Sequence, residues 1–310
     1  MLELACSSDA GFLPHVSAML HSVLAHNPPG QPLRVWLMHA RELPAEGREK
    51  VRAVVEGGGA QLEFLPIPRE LLRGFPTERF HEAAWYKILL PELLPQLDRV
   101  LYIDADIIVA DSLWPLWETE LQGQLYGAVT NPLYPYMRNW PKEDLGLDDP
   151  RDYINTGVLL LDLRRWREEH TIAALREYAA AHPDNTCPEQ DAMSALIPRR
   201  RMHLHPRWNV QSTVFELPPK RLPFTSAEVA EARAKPAVIH YIGPFKPWHY
   251  LCKHPLRGLY FEHLRNTPWP VRPLEGVSLF NRVLKPLPLR MQRRLVLMRQ
   301  ALGKLGSGRK

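Results

Sequence analysis

The sequence predicts an α/β protein: a mainly parallel sheet with helices on both faces, one domain over residues 1–267, and a basic helical extension over 268–310. Three observations lead there. Through the first hundred residues, short apolar runs alternate with segments of helical apolar spacing, which is the pattern of βα units. The 310 residues are 45% hydrophobic and 24% charged, which supports a sizeable core and excludes wholesale disorder. Near residues 268–273 the composition changes, and a proline-containing linker leads into a basic tail.

Residues 2–6 form the first expected strand and end in Ser7-Ser8-Asp9. Val16, Met19, Leu20, Val23 and Leu24 then recur at helical spacing. Residues 33–38 read as a second strand, and 42–55 as a helix stopped by Gly57-Gly58-Gly59. A third strand at 62–67, a helix at 83–94 and a fourth strand at 99–103 follow. Later strands are expected at 127–130, 157–161, 201–205 and 237–241, with helices at 164–181 and 189–196. Residues 131–152 read as a loop whose Tyr134, Tyr136 and Trp140 could form a lid or substrate wall. The 31 prolines imply many ordered loops, and no internal repeat is visible.

The net charge of +5 belongs to the tail. Nine of the 39 Lys and Arg residues fall in 278–310, which holds no acid. Residues 1–277 therefore carry 30 basic against 34 acidic side chains and are net acidic. With no groove-reading motif either, nucleic acid is not an expected partner. Three scattered cysteines supply neither a disulfide framework nor a zinc pattern and suit a reducing compartment. The first residues lack the basic and apolar regions of a secretion signal, and no stretch approaches the length of a membrane span.

In open α/β sheets, ligands bind beyond the carboxyl ends of the strands. That singles out Ser7-Ser8-Asp9, Asp104-Ala105-Asp106, Thr130-Asn131 and His240-Tyr241-Ile242-Gly243. Asp104 and Asp106, two apart after an apolar strand, point the same way if the chain stays extended. Two like charges in a greasy run are costly unless neutralised, and a hard divalent cation completed by a diphosphate would do so. The plainer reading is a strand-end turn with solvated carboxylates. His240 also ends an apolar strand; it is either a satisfied core histidine or an imidazole joining two carboxylates on Mn²⁺. Gly243 permits close approach of a ligand to the backbone. Lys246 offers a point charge for phosphate, or is an ordinary surface lysine.

The run VLYIDADIIVADSLWPLW resembles the DxD region of family 8 glycosyltransferases, the retaining GT-A enzymes that include bacterial lipooligosaccharide galactosyltransferases and glycogenin. HYIGPFKPWH is similar to the metal- and phosphate-binding block of the same family. SSDAGFLPHVSAMLHSV, YKILLPELLP, YINTGVLLLDLRRW and CPEQDAMSAL stand in matching order, so the likeness spans about residues 2–266. It implies a GT-A, Rossmann-like domain and a metal-dependent retaining hexosyltransferase acting from a UDP-sugar. Asp104, Asp106 and His240 would ligate Mn²⁺ or Mg²⁺. Gly243 and Lys246 would contact the diphosphate, Asp9 the uracil, and Ser7 the base through its backbone, with Lys87 and Ala105 also on the donor. Asn155 would touch the donor sugar. Gln190 would lie beneath the anomeric carbon, flanked by Glu189 and Asp191 among the catalytic candidates. The alternatives for these are a turn residue at 155 and the polar first turn of a helix at 189–191.

This chain departs from the common pattern at Gly11, Phe12, Lys87, Glu189 and Asn131, where relatives often carry Asn, Tyr, Arg, Asp and Asp. The donor hexose is therefore open, with galactose and glucose nearest. A glutamine is a poor nucleophile, so the family analogy suggests same-face attack by the acceptor with the departing phosphate as base. In the tail, Met291, Leu295, Met298, Leu302 and Leu305 repeat at helical spacing among Arg290, Arg293, Arg294 and Lys304. Such a basic amphipathic helix suits an anionic membrane surface or packs on the body. The expectation is a cytoplasmic enzyme, peripheral on the inner face of the cytoplasmic membrane, with a saccharide or glycolipid acceptor. The alternatives are a nucleotidyltransferase-like enzyme and a non-catalytic UDP-sugar or membrane-surface binding protein.

Overall fold

A computed structural model describes residues 1–77, 82–134, 140–288, 291, 292 and 295. Its ten strands are β1 (Leu2–Ser7), β2 (Leu33–His39), β3 (Gln61–Pro66), β4 (Arg99–Ile103), β5 (Ile107–Val109), β6 (Tyr126–Thr130), β7 (Ile154–Asp162), β8 (Arg201–His203), β9 (Val210–Gln211) and β10 (Val238–His240). Seven of them form one sheet in the order β3-β2-β1-β4-β7-β6-β8. The pairs β1–β2, β2–β3, β1–β4 and β6–β8 are parallel, whereas β7 runs antiparallel to both neighbours. This is the expected mainly parallel α/β sheet. A second sheet, β5-β10-β9, was not foreseen, because its strands are only two or three residues long.

Both faces of the large sheet are covered. On one side Leu4, Val35, Leu101 and Leu160 pack with Val16, Met19 and Leu20 of the helix Leu13–Ala25. On the other, Tyr102, Leu159 and Leu161 pack with Trp85, Ile88 and Trp166. The helix Ala45–Gly57 stops at the expected glycines; Gly59 takes a left-handed φ of +81° that suits a residue without Cβ.

Two expected helices are broken. Residues 83–94 form a 3₁₀ run, Glu82–Leu89, and then one α-helical turn, Leu90–Leu93. Pro91 has no N–H to return to the carbonyl of Lys87, so one regular helix cannot continue through it. The 164–181 helix divides into Leu163–Glu168 and Thr171–Ala181 at His170, whose φ is +53°. The tail stripe lies outside the described residues except for Met291 and Leu295, as does Tyr136; of the expected lid aromatics, Tyr134 packs against the cluster of Leu217, Leu222 and Val229.

From residue 268 to residue 288 the chain makes contacts with the body. The Trp269 indole N–H donates to Ser17 Oγ (2.8 Å), His249 bridges Glu275, and the helix Leu279–Leu284 buries Leu284.

The strand order places the site. β1 is followed on one side by β2 and β3, and on the other by β4. The chain thus changes direction across the sheet between β1 and β4, and a crevice opens beyond their carboxyl ends.

Candidate active site

A cavity of about 530 Å³ occupies that crevice. Its wall includes Ser7, Ser8, Asp9 and Phe12 after β1, Tyr102, Asp104, Ala105 and Asp106 at the end of β4, Tyr86 and Lys87 from the 3₁₀ run, and Glu189 and Lys246. Of the residues singled out above, Ser7, Asp9, Lys87, Asp104, Ala105, Asp106, Glu189 and Lys246 meet there. His240, Asn155, Gln190, Asp191 and Gly243 stand outside the lining, the first four buried behind it.

Asp104 and Asp106 do not lie in an extended strand. β4 ends at Ile103, residues 104–106 turn, and the chain resumes as β5 in the second sheet. The turn is pinned from two sides: Asp104 N–H donates to the Gly157 carbonyl (2.9 Å), and Tyr241 N–H to the Asp106 carbonyl (3.1 Å). The carboxylates converge nonetheless. His240 Nε2 lies 3.2 Å from Asp106 Oδ1 and 4.0 Å from Asp104 Oδ2. One ligand atom from each of the three residues lies within 4.8 Å of the others. Two hard oxygens and an imidazole nitrogen at that spacing fit Mn²⁺, and more loosely Mg²⁺.

Two lysines counter the carboxylates. Lys246 Nζ bonds Asp106 and the Tyr241 carbonyl. Burial works to raise the Asp106 carboxyl, but the charges of Lys246 and His240 outweigh it and hold the group far below the usual range. Lys87, only 3% exposed, bonds Asp104 at 3.1 Å and lies 3.5 Å from Glu189. Burial disfavours its charge, yet Asp104 and then Glu189 raise its ammonium above the ordinary value. Tyr102 donates to Asp104 Oδ1 (2.7 Å) and, with burial and Asp104 both raising its phenol well above the ordinary value, stays protonated.

β7 begins at Ile154, three residues earlier than expected, so Asn155 is a strand residue and not a turn. Its pairing with β6 jumps from Ala128↔Leu159 to Val129↔Asn155. The bulge at residues 156–158 re-aims this stretch toward the site. Gly157 is required for space: a Cβ there would stand 2.2 Å from His240 Cε1.

Behind the cavity lies a buried hydrogen-bonded network. Gln190 Oε1 accepts from Asn155 Nδ2 and Thr156 N–H, both at 3.3 Å, and its Nε2 donates to Tyr153 Oη at 2.5 Å. Tyr153 donates to Asp191 Oδ1 (2.9 Å), and Asp191 Oδ2 accepts from Cys187 N–H (2.9 Å). Asp191 is fully buried, and burial pushes its carboxyl up to about 7. Glu189 accepts from Thr156 Oγ1 (3.0 Å).

Near Lys246, Gly243 has φ +83°, a left-handed turn that favours glycine. At the rim, Phe12 meets Trp248 edge-on (5.9 Å), and Trp248 stacks on His15 (3.5 Å). Burial and then Arg272 push the His15 imidazole down to about 4, against Asp106 and Asp9, so the stacked ring is neutral at pH 7.

Sequence reading missed Tyr102, Tyr153, Thr156 and Asn209. The first had a signal: at i−2 from Asp104 it shares that carboxylate's side of the strand. Tyr153 and Thr156 lie close to Asn155 in sequence, but their bonds to Gln190 depend on a helix more than thirty residues away. Asn209, which lies against both Asn155 and His240, is one polar residue between Trp208 and Val210, with nothing local to set it apart.

A profile of the family described as Glycosyl transferase family 8 matches residues 3–252. The Escherichia coli (strain K12) lipopolysaccharide 1,2-glucosyltransferase is 27% identical over 280 residues, which cover 86% of this chain and 79% of that protein. The Salmonella typhimurium lipopolysaccharide 1,3-galactosyltransferase is 24% identical over 277 residues, with the same coverage of 86% and 79%. Among solved structures, the galactosyltransferase LgtC in complex with donor and acceptor sugar analogs superposes with a TM-score of 0.75 at 26% identity. That match covers 91% of this chain and 99% of the other.

Proposed function

The chain belongs to glycosyltransferase family 8, and from that premise we propose that it moves a hexose, galactose or glucose, with retention from a UDP-sugar to a saccharide acceptor. The observation that carries this reading is the Asp104–Asp106–His240 cluster, whose carboxylates line the β1/β4 crevice with His240 buried behind them. These three residues would hold Mn²⁺ or Mg²⁺. A cation bound there would supply Lewis-acid stabilisation of the charge that develops on the diphosphate.

The chain's own residues would do the rest. Asp9 and the Ser7 backbone would bind the base. Lys246, now on Asp106, would bind phosphate with Gly243 beside it. Lys87 would hold Asp104 and Glu189 in place. Gln190 would lie beneath the anomeric carbon. Its oxygen already accepts two hydrogen bonds, which makes it a poor nucleophile and favours same-face attack by the acceptor hydroxyl, its proton passing to the departing phosphate. Asp191, turned to Tyr153 and Cys187, would act by positioning Gln190.

The test is UDP release from a panel of UDP-sugars, with and without Mn²⁺. Slow release from one UDP-hexose that EDTA abolishes is the expected result. No release from any donor at any metal concentration would reject the reading in favour of a non-catalytic UDP-sugar binder.

A second observation concerns where the acceptor is met. No helix among the described residues is long and apolar enough to cross a membrane. The helix Leu279–Leu284, however, leaves Leu279 81% and Val283 70% exposed, one turn apart on one side, and Met291 is exposed beyond it. Exposed apolar side chains in a sequence segment that holds nine basic residues and no acid suit an anionic bilayer, where each basic residue near the surface contributes about 1 kcal/mol. We therefore extend the proposal to a lipid-linked acceptor, in keeping with the names of the lipopolysaccharide glycosyltransferases among the relatives, and to a meeting place at the inner face of the cytoplasmic membrane. In liposome flotation the full chain should rise with anionic vesicles and a chain lacking 278–310 should not; equal flotation would overturn it.

A further inference from the structure

Two backbone amides determine every donor and acceptor along a buried chain of side chains. Gly157 N–H donates to Asn155 Oδ1 (3.0 Å), and Thr156 N–H to Gln190 Oε1 (3.3 Å). A backbone N–H can only donate, so each contact identifies the oxygen end of a side-chain amide. Asn155 Oδ1 also faces the Asn209 amide at 2.7 Å, and this must be Asn209 Nδ2 donating. Asn209 then turns Oδ1 to His240 Nδ1, 3.0 Å away. An amide oxygen only accepts, so Nδ1 carries the hydrogen, and Nε2 is the nitrogen that faces Asp106 and Asp104.

We propose that Asn209 is a positioning residue for the transfer: it keeps the hydrogen of His240 on Nδ1, leaving Nε2 for the cation, and through Asn155 it ties that ring to the amide of Gln190. The inference rests on the reading of Asp104, Asp106 and His240 as a cation site. Asn209 is 1% exposed, so the arrangement is shielded from water and its polarity is not shared with solvent. The residue type follows from the geometry. One end of the side chain must accept from an imidazole and the other must donate to an amide oxygen. An aspartate would still accept from His240 but would set oxygen against oxygen at Asn155. A leucine would do neither. An outer partner of a metal-bound histidine typically changes metal affinity or activity 10–100-fold.

The experiment follows Mn²⁺ binding by loss of the free-ion EPR signal, with UDP present, in the full chain and in Asp106→Asn, Asn209→Leu and Asn209→Asp. Wild type should bind and Asp106→Asn should not. Asn209→Leu should bind about 10–100-fold more weakly. Asn209→Asp should keep Mn²⁺ affinity near wild type yet lose turnover, because its damage falls on Asn155 and Gln190. If Asp106→Asn binds Mn²⁺ as wild type does, the cation-site reading itself fails. If Asp106→Asn loses binding while both Asn209 variants match wild type in affinity and turnover, the inference alone fails. A readout without substitution covers variants that do not fold: ¹⁵N-histidine NMR of the wild-type chain with saturating Mg²⁺ and UDP. His240 Nδ1 should resonate as a protonated nitrogen and Nε2 as an unprotonated one; the reverse overturns the proposal.

Discussion

The two sides of the site are built on opposite principles. The side formed by Asp104, Asp106, His240, Lys87 and Lys246 is charged and held by ion pairs. In the proposed reading Lys246 would leave Asp106 for an incoming phosphate while a cation takes its place. The side formed by Gln190, Asn155, Asn209 and Tyr153 is neutral, and nearly every polar end already has a partner of fixed sense. The difference suits the proposed chemistry. Leaving-group charge needs countercharge that arrives with the donor, whereas the ground beneath an oxocarbenium-like sugar needs dipoles that do not reorganise.

The largest effect is expected on the charged side. Asp106→Asn removes a hard oxygen ligand and leaves Lys246 and His240 without their carboxylate. UDP release should fall more than about 100-fold, beyond the range for outer partners of a metal ligand. A fall of less than about tenfold would mean that the charged side does not depend on this carboxylate.

Gly157→Ala strikes where the two sides meet. The added methyl would stand 2.2 Å from His240 Cε1, 2.7 Å from Nδ1 and 3.0 Å from Asn155 Oδ1. Overpacking of this kind costs about 1–3 kcal/mol, read as a lower denaturation midpoint. Mn²⁺ affinity should fall with it. A stability loss with unchanged affinity would mean that His240 can move without harm to the charged side.

The smallest effect tests the neutral side. With its folded-state carboxyl raised to about 7 by burial, Asp191 ionises first in the unfolded chain. Its contribution to stability is therefore fully present below the unfolded carboxylate range of about 3.9 and is lost as pH rises to about 7. Asp191→Asn removes the titration, so its Tm should fall less steeply with pH across that window than that of wild type. Parallel Tm–pH curves would show that Asp191 is ionised in the folded protein and the network is not neutral.

Much of the frame was legible in the sequence because apolar periodicity reports burial directly. The strands at β1 to β4 and the helix Leu13–Ala25 fall where their apolar spacing puts them. Elements with little periodicity were not legible: β5 and β9 are too short to have a pattern, and the break at His170 has no glycine or proline to announce it. On the charged side Asp104, Asp106 and His240 could be nominated because they stand at the ends of apolar strands, whereas Lys87, inside an expected helix, was nominated only through the family resemblance. Asn209 could not, because its role depends on partners 31 and 54 positions away in the chain.

By itself the sequence determined the α/β class, the family, the separation of an acidic body from a basic tail, and the identities of the carboxylates, imidazole and lysines. These are local properties of composition, spacing and motif. Only the tertiary structure decided that Asp104 and Asp106 converge through a turn instead of a strand, that Lys87 braces Asp104 and Glu189, and that Asn209 joins His240 to Asn155. The direction of a hydrogen bond is set by which group stands opposite, and that is known only when distant segments are brought together.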